Sequence, residues 1–214
     1  MMRQIAGRML ATGAASGSLA LMLLLSACST SPNPTLYTIA PVDPAGSADA
    51  ATPSKAPTIV VLQPIALARY LERQQIVRSS ENYQLNVTTN DWWGEPLGAM
   101  INRVLVQELS QRLPKSTILN ESGAVSGNAD ATVALNILRL DQDASGSVIL
   151  QAQASVTSHA KDGETPAAPL LQSFRFSVTP SGADVKSEVA AISNAVGQLA
   201  DKLAYLIATG HQAP

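Results

Sequence analysis

The chain has 214 residues with 14 Lys and Arg against 16 Asp and Glu, a formal charge of −2 that excludes the basic footprint nucleic-acid binding requires and a polybasic grip on an acidic membrane. Its single cysteine excludes an intramolecular disulfide, so the core must hold the fold unaided. Charged residues make up only 14%, which fits either surface covered by a partner or long Ala-rich helices.

The first 27 residues read as an export signal, with Arg3 and Arg8 as the positive n-region and Leu19 to Leu25 as an apolar run too short to span a bilayer as a lasting helix. The run ends in Leu25-Ser26-Ala27-Cys28, where small residues let a peptidase close on the chain and a thiolate can take up diacylglycerol. This looks like a bacterial lipobox, and Cys28 is the expected mature N-terminus. One acyl chain holds only reversibly, at roughly 0.8 kcal/mol per buried methylene, so two or three chains would make the anchor durable. Ser29 stands where an Asp would resemble an inner-membrane retention signal, which favours the outer membrane, facing the periplasm, over the inner one. Removing 27 residues leaves 187, with 12 basic against 16 acidic groups, enough for one α/β domain.

Residues 28–57 read as a lipidated tether and spacer. Ser29 to Thr35 offers nothing to bury, Leu36-Tyr37-Thr38-Ile39 gives a short β segment, and the Pro- and Gly-bearing stretch from Pro41 to Pro57 reads as a loop or second spacer. The domain is expected over 58–209, opening on the β-branched run Thr58 to Leu62, which predicts a central strand buried on both faces. Ala66 to Arg73 predicts one helical turn, and Gln75 to Arg78 and Tyr83 to Val87 predict two strands around a turn at Ser79 to Asn82. Asp91 is a plausible N-cap for a helix over about 94–113, opened by Trp92-Trp93, whose stripe Leu97, Ile101, Val104, Leu105, Leu109 and Leu113 is made to lie on a sheet. Thr117 to Leu119 predicts a further strand. Alternation through Val133, Leu135 and Ile137, then Val148 to Val156, then Phe174, Phe176 and Val178 predicts an antiparallel meander.

The last element runs over about 184–208. Val185, Val189, Ile192, Val196, Leu199, Leu203 and Leu206 recur at steps of four and three, one narrow seam that could pack on the sheet or on a neighbouring protomer, the intradomain reading being the commoner. Residues 210–214 read as tail. The fold class is therefore α/β, a single domain with a mixed sheet, a largely antiparallel C-terminal meander and two long helices.

Catalytic constellations are sparse. His159 and His211 sit at a strand end and near the terminus, and neither belongs to a built cleft. Nucleophile elbow and phosphate loop are both absent from the sequence, and no cofactor or metal is expected. Asp141 to Gly146 starts like a calcium loop, but Ala152 stands where a bidentate Glu is needed, so a hairpin turn is the better reading. Two clusters invite a partner: Arg69, Tyr70 and Arg73 with Arg78, placing positive charge beside an aromatic ring, and Trp92-Trp93, which on a helix cannot both face one core. Solvated charge and core filling are the competing readings.

Pro64, then Ala68-Arg69-Tyr70-Leu71-Glu72-Arg73-Gln74-Gln75-Ile76-Val77-Arg78, then Trp93-Gly94-Glu95-Pro96-Leu97 running into Ile101 and Arg103, resembles the ABC-type transport auxiliary lipoprotein family, PqiC- and YmbA-like. Leu36 to Ile39 after the lipobox is similar to the family's opening. Trp92 and Gly94 depart from the family's pattern, which has a basic residue and Ala there. The resemblance implies a periplasm-facing α/β domain, held by acylated Cys28 at the outer membrane, that works with an inner-membrane ABC transporter and its MCE-type lipid-binding protein and hydrolyses nothing. Partner contacts would then fall on Arg69, Tyr70, Arg73, Trp92 and Trp93. A self-assembling structural envelope lipoprotein, a homo-oligomer without a transporter partner, is the alternative.

Overall fold

The structure is a computed structural model that describes residues 33–44, 56–125, 127–160 and 167–213. The export signal and Cys28 lie outside the described residues.

One long strand carries the sheet. In β7 (Ala131–Gln142) Val133, Leu135 and Ile137 point into the core, as a period of two requires. Along one side β8 (Val148–Ser158) pairs antiparallel over its whole length, and β9 (Leu170–Val178) pairs antiparallel with β8, the meander expected from the alternation. The other side of β7 is shared by three short parallel strands. These are β2 (Ile59–Leu62) at its N-terminal end, β3 (Ala66–Leu67) at its middle and β4 (Gln75–Ser79) at its C-terminal end. Beyond β2 lies β6 (Thr117–Asn120), parallel to it. Beyond β4 lie the antiparallel β5 (Asn86–Trp93) and then β1 (Thr35–Tyr37), parallel to β5. Two half-sheets thus hang on one strand with a notch between them. Since β2 and β6 run with β7 while β5 and β1 run against it, the C-terminal ends of all four face that notch.

Two helices cover the sheet. In α1 (Leu97–Arg112) the stripe from Leu97 to Leu109 is buried, together with Leu113 just beyond the helix. In α2 (Val185–Thr209) the Asp184 side chain caps the first turn by accepting from Ser187 N at 2.8 Å, and Gly210 at φ 65° closes the last in the left-handed conformation. Asp184 Oδ2 also takes the Ser187 hydroxyl, and these hydrogen bonds hold the carboxyl below its ordinary range.

Several expectations are corrected. Trp92 and Trp93 end β5 rather than opening a helix, and Asp91 is a strand residue rather than an N-cap. Pro96 takes the N-cap position without a side-chain hydrogen bond, and a residue before proline avoids the helical region, so the helix cannot begin at 94. The helical turn expected in Ala66 to Arg73 is a 3₁₀ turn over Arg69–Leu71, and the residues before it form the short strand β3. The turn between β4 and β5 is centred on Asn82 and Tyr83, so Tyr83 lies outside the strand it was assigned to. The hub is β7, not the run at Ile59–Leu62, whose residues alternate between buried and half-buried one strand in from an edge.

The α2 seam is spent inside the domain. Val189, Ile192, Val196, Leu199, Leu203 and Leu206 are at most 6% exposed, with Val185 at the seam's start half-buried, and Ala191, Ala195, Ala200, Ala204 and Ala208 are buried beside them. Small side chains widen the narrow seam into a face covered on β8, β9 and α1. The tail is built in as well: Gln172 clasps Ala213 through Nε2 to its carbonyl and Oε1 from its N–H, both at 2.8 Å.

The chain between β1 and residue 42 belongs to the fold, where a spacer up to residue 57 was expected. Ile39 is 1% exposed, and its N–H donates to Met100 Sδ at 3.1 Å. Ala40 N donates to Ser193 Oγ at 3.3 Å, and Val42 N to Glu108 Oε1 at 2.8 Å. Glu108 is fully buried, ion-paired with Arg112, which also binds Asp201 at 2.6 Å. A Cβ at Gly197 would collide with Val42, so only glycine lets this strap lie on α2.

Candidate functional site

The notch between the half-sheets holds a cleft of about 540 Å³. Its apolar walls come from the β2–β3 connection, Pro64 and Ile65, with Leu67 of β3, and from the β5–α1 junction, Trp93, Pro96 and Leu97. Its charged groups are Glu72, Arg73 and Glu95, with Asn120 and Ser122 at the end of β6.

Local chemistry explains why the chain turns there. Trp93 N still donates to Gln74 O at 2.7 Å, and Gly94 N to Tyr37 O at 2.8 Å, so pairing persists to the strand's last residue. Pro96 then ends it and starts α1. Glu95 is held by Arg103 at 2.5 Å in a half-exposed pair, and Arg73 Nε donates to Tyr70 O at 3.1 Å, leaving the rest of its guanidinium at the cleft. Asn102 borders the cleft from α1: its Nδ2 donates to Gln63 O at 2.8 Å, and its Oδ1 is buried without a partner among the described residues.

The residues singled out in the sequence part company here. Arg73 and Trp93 come together in the cleft, with Trp93 7% exposed. Trp92, its neighbour on an alternating strand, points to the opposite face, where it stands beside Leu36 and donates Nε1 to Thr89 O at 3.2 Å. Arg69 is exposed on the 3₁₀ turn. Tyr70 turns inward, donating its hydroxyl to Asp141 at 2.7 Å; burial first and that hydrogen bond second push the phenol's pKa well up. Arg78 serves α2 instead, pairing with the fully buried Glu188 at 2.9 Å and capping Ala183 O.

Asp141 is a buried strand residue that also accepts from Ser80 at 2.7 Å and Arg139 at 2.8 Å, so the hairpin turn is made by Asp143, whose Oδ1 takes the Ser145 N–H at 2.9 Å. His159 Nε2 pairs with Thr132 Oγ1 at 2.7 Å, and His211 Nδ1 lies 2.8 Å from Thr209 O. No group of three His, Cys, Asp or Glu among the described residues could hold a metal ion. No helix among them is long and apolar enough to cross a membrane.

Glu72, Glu95 and Asn102 were not singled out in the sequence. Pro64 and the stretch Trp93 to Leu97, on which the resemblance rested, were the available signal, for they are two walls of one cleft.

A family model described as the ABC-type transport auxiliary lipoprotein component matches residues 37–204. None of the curated proteins matches. Among solved structures, the fold is similar to a crystal structure of an uncharacterized protein, with a TM-score of 0.65 at 15% identity over 82% of this chain and 99% of that one. It is also similar to protein XCC0632 from Xanthomonas campestris, with a TM-score of 0.64 at 18% identity over 82% and 96% of the two chains. At these identities the likeness is one of fold.

Proposed function

The chain belongs to the family of ABC-type transport auxiliary lipoprotein components, and on that premise we propose that it is a docking component of an ABC and MCE-type intermembrane lipid transport system, anchored through acylated Cys28 at the periplasmic face of the outer membrane. The observation that carries this reading is the cleft, where two stretches some twenty residues apart in sequence, Pro64 to Arg73 and Trp93 to Leu97, form facing walls. Apolar walls ringed by Glu72, Arg73 and Glu95 suit a protein segment that buries side chains and pairs charges at the rim. Affinity is expected from Arg73 and the Trp93 edge. Arg69 and Trp92 would contribute only if the partner extends beyond the cleft, and Tyr70 acts by holding the 3₁₀ turn. The reading assigns no chemical step to the domain. Self-assembly through the α2 seam loses its support, because those side chains are already covered.

Co-purification of the full acylated chain with the MCE-type protein of its own cell tests the reading. Arg73→Glu is expected to weaken binding at least tenfold, with the melting temperature unchanged because Arg73 is exposed. Trp93 is a poor probe, since truncating a buried Trp costs about 3–5 kcal/mol on its own. Normal capture by both Arg73→Glu and Leu67→Asp would remove the cleft as the docking site.

A further inference from the structure

We propose that the β4–β5 hairpin tip is a second membrane contact, seating Tyr83 and Leu85 in the headgroup region of the bilayer that holds Cys28; it rests on the reading of Cys28 as acylated.

The tip's backbone points outward for a reason the domain does not supply. Gln84 N donates to Glu81 O at 3.1 Å, and the two residues between, Asn82 at φ 53° and Tyr83 at φ 63°, are both left-handed. This turn favours Asn-Gly, and a tyrosine in the glycine position carries a steric cost that side chains ordinarily avoid. Nothing inside the fold offsets that cost, because Tyr83 is fully exposed at 108% and Leu85 is 44% exposed. Strain kept for an exposed phenol points to a contact outside the molecule.

Charge selects the class of partner. Asn82 to Asn86 carry no ionisable group except the phenol, and the one acid at the turn, Glu81, is neutralised by Arg139 at 2.6 Å. An uncharged tip bearing a tyrosine and a leucine suits the headgroup boundary, where amphipathic rings collect, and needs no anionic lipid.

Chain length limits how far the bilayer can lie from that tip. Six residues separate Cys28 from Thr35, so the membrane surface lies within seven Cα steps of Thr35, at most about 25 Å. Thr35 pairs opposite Asp91 in parallel register, so the chain leaving Thr35 towards Cys28 starts out in the direction in which β5 runs back to the hairpin. β4 covers the distance from Gln75, opposite Trp92, to Ser79, opposite Asn86, in four residues, about 13 Å. The tip is therefore no farther from Thr35 than the tether's reach, and Leu36, 63% exposed beside Trp92, adds apolar surface along the same edge.

The test uses the full acylated chain on vesicles of phosphatidylethanolamine and phosphatidylglycerol. Acylation turns the Cys28 sulfur into a thioether, so an introduced cysteine is the sole thiol. A polarity-sensitive fluorophore is attached to Leu85→Cys or to Leu171→Cys. Leu171 is also exposed, but through β8 it aligns with Ala134, eight β7 residues or about 26 Å from Gln142 at the hairpin end. Lipid-borne nitroxide is expected to quench the label at 85 several-fold more than the label at 171, independently of salt, and Tyr83→Ser is expected to lower that ratio at least twofold. A protein that floats with the vesicles but shows equal quenching at both sites overturns the proposal. An unchanged ratio in Tyr83→Ser overturns the role of the phenol. A chain that fails to float refutes acylation itself, and the hairpin contact falls with it, an outcome told apart by flotation alone.

Discussion

Gly197→Ala places a methyl group where Val42 lies on α2, and the balance of its effects can be worked from the geometry. The exchange gains about 1 kcal/mol of helix propensity in a helix interior. Against this, the added Cβ collides with Val42, and lifting the strap breaks the Val42 N–H bond to Glu108 Oε1 at 2.8 Å. A hydrogen bond to a charged acceptor contributes about 1.5–3 kcal/mol, and Glu108 is fully buried, so the loss falls on a carboxylate with no water to replace it. Net destabilisation of about 0.5–2 kcal/mol follows, a fall in melting temperature of roughly 1–8 °C for a chain of this size. Circular-dichroism melts of the four proteins wild type, Gly197→Ala, Val42→Ala and the double variant measure it. In the Val42→Ala background the clash is gone and the same substitution is expected to stabilise, a sign reversal with a coupling energy of about 2 kcal/mol. A higher melting temperature for Gly197→Ala in the wild-type background would refute the close approach, and with it the seating of the strap on α2.

Glu188 supplies a pH dependence. Burial, with Asp141 and Asp91 adding to it, outweighs the pull of Arg78 and raises its carboxyl to about 7. A folded-state pKa above the unfolded one means that stability is fully present below about 4.5 and is lost as pH rises towards 7, so wild type should weaken relative to Glu188→Gln by about 2–3 kcal/mol across that window, read from denaturant midpoints. A flat difference between the two proteins would count against the raised pKa. Tyr83→Gly relieves a left-handed side chain worth about 1–2 kcal/mol while adding about 0.5–1 kcal/mol of unfolded-chain entropy, so the protein should gain up to about 1.5 kcal/mol; a loss would show that Tyr83 packs inside the domain after all. Leu105→Ala, at a position with no exposure on the α1 stripe, is expected to cost about 2–5 kcal/mol in the same assay, and a smaller loss would mean that the α1–sheet interface can collapse around the cavity.

The resemblance and the cleft support each other through position rather than composition. Arg73 and Trp93 were separate motifs in the sequence, and each had a bland reading. Trp92 and Trp93 part for a reason different from the one the sequence suggested: on a helix, adjacent tryptophans diverge by about a hundred degrees, whereas on β5 they point to opposite faces. Arg78 and Tyr70 turned out to be held by Glu188 and Asp141, acids 110 and 71 residues later in the chain, and no spacing rule connects such pairs.

What periodicity could decide, it decided. The α1 stripe, the long α2 helix and the β7–β8–β9 alternation each show which face is apolar within one element, because that face is set by the element's own turn angle. Which surface covers the face is a different matter, fixed by pairings between distant segments. β7 as hub, the split into two half-sheets and the notch arise from registers in which one short strand takes only part of a long neighbour, and the strap from Ile39 to Val42 is held by side chains of two distant helices. Backbone hydrogen bonds are the same for every residue, so a sequence carries little record of which strand will accept them, and only the packed tertiary structure selects the partner.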